Sequence, residues 1–429
     1  MDPQPTQGKP RPDRDAGEGV PARGAALRIL DSVLRKGLPL ESALDRAAQN
    51  LTLPADRALA HAITAAVLRH LDDLDALIDG ATARPLPNDA KARMALRIAL
   101  AQRLVLGTPA HAAIATVLPL VDGGPRKLVH GVFGTLSRSD ARLPDPPNLP
   151  AAVAERWRIA WGDAVVAAAA RLAAMPAPLD LSFASGEGAI EGGLSLAPRH
   201  LRLPAGARPT ELPGFAEGAF WVQDIAASLP ARLLGEGRGR RVIDLCAAPG
   251  GKTLQLAAAD WRVTAVDLSA DRLKRLRANL ARTHLAADVI VADALTFTPA
   301  APAEAVLLDA PCSATGIFRR HPDVLHRVRP KAIAALAERQ QAMLSRAAAA
   351  TAPGGTLLYS VCSLEPEEGE QAIEAFLTRH ARFAIDPVEA AELPEGITPA
   401  AIGTVRVLPG MIEAAGGADG FFIARLKKK

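Results

Sequence analysis

Asp244-Leu-Cys246-Ala-Ala-Pro-Gly250-Gly251-Lys252-Thr253 follows a short apolar run, Arg241 to Leu245, and opens a helical pattern over Thr253 to Ala259. A strand that turns through glycines into a helix is the first βα crossover of a nucleotide fold. Gly250 and Gly251 let the backbone approach a ligand closely. The spacing is neither the G-x-G-x-x-G of dinucleotide enzymes nor the G-x-x-x-x-G-K-[ST] of phosphate loops. Outward from this stretch, the apolar runs Arg262 to Val266, Val289 to Val291, Ala305 to Leu308 and Thr356 to Tyr359 alternate with helical patterns over Ser269 to Leu280 and Ala332 to Ala350. Such alternation predicts a mostly parallel, doubly wound α/β (Rossmann-like) sheet over residues 214–429. Gly420 to Leu426 supplies a late strand for an antiparallel edge. Ligands of such sheets sit beyond the carboxyl ends of the strands. Asp267 ends the second strand, where a carboxylate can hold ribose hydroxyls, and Asp293 ends the third. Taken singly, each reads better as a turn or helix-capping residue; together with the glycine loop they point to cofactor binding.

Two further runs carry chemistry: Asp309-Ala-Pro-Cys312-Ser-Ala-Thr-Gly316 and Tyr359-Ser-Val-Cys362-Ser-Leu-Glu365-Pro-Glu367-Glu368. Each puts one cysteine in a turn directly after a strand. The chain has three cysteines in 429 residues, which makes no disulfide framework. Free thiols are nucleophiles when their pKa is lowered and they are accessible. Cys246 reads as a small packing residue. No run of about 18 apolar residues lacks charge and no apolar leader is present, so a cytoplasmic protein with no membrane association is expected. The net charge of +4 is a mild bias, compatible with nucleic acid but weak by itself. Its placement says more: Arg319, Arg320 and His321, then His326, Arg327, Arg329 and Lys331, follow the first cysteine turn, and of these Arg319, Arg320, His321 and Arg327 are expected to meet phosphate. Aromatic residues are only 3% of the chain, so stacking is not a prominent signal.

Residues 1–22 are rich in Pro, Gly and charge and read as a disordered arm. Residues 23–145 read as an all-α domain of six or seven helices. Ala26, Leu27, Leu30, Val33 and Leu34 recur at helical spacing, and Ala58 to Leu71, Ala90 to Leu106 and Lys127 to Leu136 repeat the pattern. Thr108-Pro109 reads as an N-cap and first helical position. Residues 146–213 read as a Pro-rich linker and a small α/β element. A helical stretch runs from Ala151 to about Ala173, and strand candidates are Leu179 to Ala184, Gly193 to Ala197 and His200 to Leu203.

The glycine loop and both cysteine turns resemble, residue by residue, the Sun-domain (NSUN-type) RNA 5-methylcytosine methyltransferases, in the branch acting on bacterial 16S rRNA. The N-terminal helices look like the NusB-type RNA-binding domain, through Arg28 to Leu34, Leu59 to Leu68 and Lys127 to Val132. The resemblance implies S-adenosyl-L-methionine as cofactor, held by Cys246, Ala247, Ala248, Pro249, Gly250, Gly251, Lys252, Asp267, Asp293 and Asp309. It implies 16S rRNA as partner, no metal, and no particular oligomer. It also implies that Cys362 attacks carbon 6 of cytosine, that Cys312 assists product release, and that Asp309 meets the N3/N4 edge of the base. DNA 5-methylcytosine enzymes attack instead with the Pro-Cys cysteine, which would be Cys312. Two departures stand out. Val361-Cys362-Ser363 replaces the common Thr-Cys-Ser, and Leu179 to Ser182 lacks the usual Arg-Val-Asn. Lys252 reads equally as a residue positioning base or cofactor and as a surface lysine. A tRNA-directed enzyme with the same chemistry, and a non-catalytic RNA-binding or antitermination factor, are the alternatives.

Overall fold

The computed structural model describes residues 19–49, 51–186 and 188–429. Most of the expected disordered arm, residues 1–18, lies outside the described residues. Its last three residues are helical, because α1 starts at Val20 with Pro21 in its first turn. The chain divides into two compact units between Pro144 and Asp145.

The first unit is helical. Its elements are α1 (Val20–Leu34), α2 (Leu40–Ala47), α3 (Pro54–Arg69), α4 (Leu71–Gly80), α5 (Lys91–Leu104), α6 (Ala110–Ala115) and α7 (Gly123–Arg138). Ala25, Ala26, Ile29, Leu30 and Val33 form the buried stripe of α1. Helix α5 is buried on nearly every side, as a central helix of a bundle must be. Its two buried arginines are paired: Arg97 forks onto Asp75 at 2.7 and 2.6 Å, and Arg93 reaches Asp75 at 3.1 Å and also Asp79. Thr108 does not cap α6, contrary to the expectation. Pro109 is extended (φ −53°, ψ 139°) and itself precedes the first helical residue. The helix then stops at Ala115, and Leu118–Leu120 is a separate 3-10 turn.

The second unit opens with α8 (Ala151–Trp161) and α9 (Asp163–Ala174). Sequence reading gave one helical stretch here; Gly162 at φ 85° divides it. A three-stranded antiparallel sheet follows in the order β2-β1-β3, with β1 Leu179–Phe183, β2 His200–Leu203 and β3 Phe220–Val222. The candidate strand Gly193 to Ala197 forms only one isolated bridge, Leu194 to Arg202. The third strand comes instead from Phe220–Val222, beyond the expected domain edge at residue 213. A Phe-Trp-Val run has the β-branched and aromatic residues a strand prefers, whereas the Gly-rich approach to Leu194 does not. Asp180 of β1 forks onto Arg202 at 2.6 and 2.7 Å and accepts the Ile225 N–H at 2.8 Å. It thereby joins the small sheet to α10 (Ile225–Arg232).

The large sheet is built from β4 (Arg241–Leu245), α11 (Gly251–Ala258), β5 (Arg262–Asp267), α12 (Ala270–Thr283), β6 (Asp288–Val291), β7 (Ala303–Asp309), α13 (Val324–Arg327), α14 (Pro330–Ala350), β8 (Thr351–Val361), α15 (Glu370–Arg379), β9 (Phe383–Ile385), β10 (Val405–Val407) and β11 (Phe421–Lys428). Its order is β10-β11-β8-β7-β4-β5-β6, with β9 also on β11. Strands β6, β5, β4, β7 and β8 are parallel, and β11 runs antiparallel to β8. Helices cover both faces, so the central strands are near-continuous apolar runs. Register pairs Leu245 with Val266 and Leu308, and Asp309 with Ser360. The loops after β4, β5, β7 and β8 therefore leave the sheet at one edge.

Candidate active site

The loop after β4 is shaped by two left-handed residues. Cys246 has φ 63° and Gly250 has φ 112°. A Cβ on Gly250 would lie 2.9 Å from Leu276 of α12, so only glycine fits without movement. Asp267, at the end of β5, braces this loop: it accepts the Ala248 N–H at 3.1 Å and the Ser269 N–H at 2.9 Å. Arg272 donates to the Ala248 carbonyl. Asp293 closes β6 and accepts the Leu295 N–H at 2.9 Å. Asp244 is wholly buried at the end of β4. Its Oδ2 accepts the Thr253 hydroxyl at 2.6 Å, while its Oδ1 has no partner among the described residues. Burial pushes the Asp244 carboxyl up to about 7.

A cavity of about 530 Å³ lies over this edge. Its lining includes Asp244, Cys246, Ala247, Ala248, Pro249, Gly251 and Lys252 from the first loop, with Asp309 and Cys362 from the next two. Gly250, Asp267 and Asp293 stand outside the lining, behind or beside the loop. Lys252 is mostly buried and binds Asp309 Oδ2 at 2.7 Å, with its Nζ 5.1 Å from the centre of the Phe421 ring. It is a cavity lysine rather than a surface one. Asp309 Oδ1 accepts the Ser360 hydroxyl at 2.8 Å, so its carboxylate is fixed by neighbours on both oxygens.

The two cysteine turns converge. Cys312 Sγ and Cys362 Sγ are 3.6 Å apart, although the residues are separated by fifty positions. Cys362 lines the cavity; Cys312 stands behind it. The adjacent Cys362 sulfur and, second, burial push the Cys312 thiol well above its ordinary value, so Cys312 keeps its proton. Burial first, then Asp309, Asp267 and Asp244, push the Cys246 thiol up to about 12. Cys246 is therefore an inert thiol in the loop. Gly316 stitches the turns together: it donates to the Cys362 carbonyl at 3.0 Å and accepts from Gly420 at 2.9 Å. A Cβ there would sit 2.0 Å from the Gly420 oxygen.

Part of the basic run after Cys312 is turned inward, while Arg329 and Lys331 stay exposed. Arg319 is buried and spans Asp419 at 2.9 Å, Asp224 and the Gly416 carbonyl at 2.9 Å. Arg327 pairs with Asp323 at 2.9 Å. Arg320 and His321 do reach the cavity wall, with Arg320 held by Asp419. Sequence reasoning missed the counter-charges Asp224 and Asp419, since they lie about a hundred positions from the arginines. It also missed the role of α8, whose Trp157 and Arg156 bind Glu365 at 3.1 Å and whose Trp161 binds the Leu364 carbonyl at 2.8 Å. Among the described residues no group of three or more His, Cys, Asp or Glu could hold a metal, and no helix is long and apolar enough to cross a membrane.

Residues 231–427 match the family described as 16S rRNA methyltransferase RsmB/F, and residues 20–134 match the NusB family. The chain is 36% identical to ribosomal RNA small subunit methyltransferase B of Xylella fastidiosa strain Temecula1, over 96% of this chain and 99% of that protein. It is 33% identical to the protein of the same name from Cronobacter sakazakii, over 96% and 100% of the two chains. Among solved structures, PH0851 shares the fold at a TM-score of 0.73 and 24% identity, covering 95% of this chain and 99% of that one. A methyltransferase homolog protein from Pyrococcus horikoshii matches at a TM-score of 0.54 and 24% identity, covering 69% and 98%.

Proposed function

The chain belongs to the ribosomal RNA small subunit methyltransferase B family, and from that membership we propose that it methylates carbon 5 of a cytosine in 16S rRNA through a covalent adduct between Cys362 and carbon 6. The observation that carries this reading is the cavity that Cys362, Asp309 and Lys252 line together, with the Cys312 sulfur 3.6 Å from that of Cys362.

The methyl donor of such an enzyme is S-adenosyl-L-methionine, whose sulfonium supplies the methyl group and leaves as a neutral thioether. The residues fit it. The unsatisfied Asp244 Oδ1 at the cavity wall is an acceptor for the donor's ammonium group. Cys246 to Gly251 present a close backbone approach, and Asp267 and Asp293 stand at the strand ends where ribose and adenine are read in nucleotide folds.

In this account the Cys362 thiolate adds to carbon 6, and the displaced electron pair makes carbon 5 enamine-like. Asp309 accepts from the N4 amino group and supports protonation at N3, while Lys252 holds Asp309 in place. After methylation, carbon 5 gives up its proton to solvent water, the freed C–H electron pair re-forms the C5=C6 bond, and the Cys362–C6 bond breaks with its electron pair leaving on the Cys362 thiolate. Cys312, whose sulfur is held protonated 3.6 Å away, assists this release. A base inside a duplex must first be unstacked to enter such a cavity.

The test incubates Cys312→Ala and Cys362→Ala separately with S-adenosyl-L-methionine and 16S rRNA, followed by denaturing electrophoresis. The expected result is an RNA–protein adduct that accumulates in Cys312→Ala and is absent from Cys362→Ala. An adduct only in Cys362→Ala would reverse the two roles.

A further inference from the structure

Glu368 lies in the acidic run after Cys362, and nothing in the reaction described above uses it. It is fully buried. Its Oε1 accepts the Ser313 N–H at 2.9 Å and the Gln340 side-chain amide at 3.1 Å. Its Oε2 accepts the hydroxyls of Ser313 and Ser363. Ser313 directly follows Cys312, and Ser363 directly follows Cys362. One carboxylate therefore takes hydrogen bonds from the residue after each cysteine. The remaining links point the same way. The Ser313 and Ser363 hydroxyls are 3.0 Å apart, and Gln340 also binds the Pro311 carbonyl at 3.0 Å. The Glu368 backbone carbonyl is anchored by the Tyr359 hydroxyl at 2.7 Å.

A buried carboxylate is costly unless it is fully hydrogen-bonded, and charge-assisted hydrogen bonds are about twice as strong as neutral ones. Four donors on one carboxylate, drawn from both turns and α14, make a joint whose geometry is over-determined. An ordinary hydrophobic contact between the turns would hold them together but would not fix their register. Positional tolerance in such constellations is about 0.5 Å.

We propose that Glu368 is a positioning residue that sets the separation of the two cysteine sulfurs, and that it matters more for release of the methylated base than for the initial attack. This rests on the assignment of attack to Cys362 and release to Cys312. Attack needs only Cys362 and the base. Release, in which the C5 proton departs and the Cys362–C6 bond breaks, needs both sulfurs beside the same base. Loosening the joint therefore affects the second step first.

The experiment compares Glu368→Ala and Glu368→Gln with the unmodified enzyme, using Cys312→Ala on the same gel. Each is assayed for turnover on 16S rRNA, for S-adenosyl-L-methionine affinity, and for adduct after denaturation. Glu368→Ala is expected to lose turnover at least tenfold, to bind S-adenosyl-L-methionine within threefold of the parent, and to accumulate adduct. In Glu368→Gln the hydroxyls of Ser313 and Ser363 rotate to accept from the new amide, so turnover is expected to stay within about fivefold of the parent. If Glu368→Ala does not purify folded, the Ser313→Ala/Ser363→Ala double variant removes both hydroxyl donors and carries the same readings. Turnover within threefold of the parent would overturn the proposal. So would a loss of turnover without adduct while Cys312→Ala does form one. Absence of adduct in Cys312→Ala itself, with adduct in Cys362→Ala, would instead overturn the assignment on which it rests.

Discussion

Asp244 shows how much one side chain at this edge is asked to do. It is buried beneath the glycine loop with one oxygen on Thr253 and the other unsatisfied. Its ordinary carboxyl value of 3.8 rises to about 7 in the fold. The folded state thus binds a proton more tightly than the unfolded chain. The associated stability is fully present below pH 3.8 and is lost as pH rises through about 7. Asp244→Asn, which keeps an acceptor for Thr253, removes that dependence. The melting temperature of Asp244→Asn minus that of the parent should grow between pH 4 and pH 8; a constant difference across that range would contradict the burial argument. Gly250 gives a second residue-scale expectation. Gly250→Ala meets both a left-handed backbone, worth about 1–3 kcal/mol of strain, and the side chain of Leu276. It should weaken S-adenosyl-L-methionine binding at least tenfold by calorimetry, and an unchanged affinity would show that the loop relaxes freely. Gly250 was legible in the sequence because turn glycines carry their meaning locally, whereas Asp244 stood in the quoted run without a role, since its burial and unsatisfied oxygen come from the fold. Glu368 was not legible either: it sat in a quoted run, but its partners Ser313 and Gln340 are brought to it only by the fold.

The elements divide in the same way. The parallel strands were readable because a strand buried on both faces must be a short apolar run. Strands β9 and β10, three residues each at the antiparallel edge, offer too few positions for a period to emerge. The break between α8 and α9 turns on Gly162 alone, and glycine inside a helical pattern is ambiguous until its φ is known. The helix before that break has a task no local pattern announces. Trp157 is fully buried and donates to Glu365 at 3.1 Å, so α8 clamps the segment that follows Cys362. Trp157→Ala should cost about 3–5 kcal/mol by chemical denaturation; a loss under 1 kcal/mol would mean the segment stands without α8. Arg319 is the element-scale correction. A charge run after a cysteine turn suggested RNA contact, yet its guanidinium neutralises Asp224 and Asp419 inside the fold. Arg319→Ala leaves buried Asp224 without its paired cation, while Asp419 keeps Arg320, and should destabilise the protein by about 3–5 kcal/mol. Unchanged stability with weakened RNA binding would restore the phosphate-contact reading.

At the scale of the molecule, two compact units meet in sequence at Pro144 and Asp145, and each has its own buried core. The helical pattern of the first and the β-α-β pattern of the second were visible because the hydrophobic period changes between them. The small sheet straddled the expected edge, because its last strand is supplied by Phe220–Val222, which begins seventeen residues beyond the end of β2. Residues 145–429 contain every residue of the cavity. As a fragment they should fold cooperatively and bind S-adenosyl-L-methionine within about threefold of the full chain; an unfolded or non-binding fragment would show that the helical unit is required for the fold. The central claim is chemical: that this edge of the sheet places a methyl group on carbon 5 of cytosine in 16S rRNA. The most direct measurement incubates the purified protein with 16S rRNA and S-adenosyl-L-methionine bearing a deuterated methyl group. The RNA is then digested and its nucleosides are identified by mass spectrometry against standards. The account predicts the label in 5-methylcytidine. Label in another methylated nucleoside, or none in an otherwise folded and cofactor-binding protein, would contradict it.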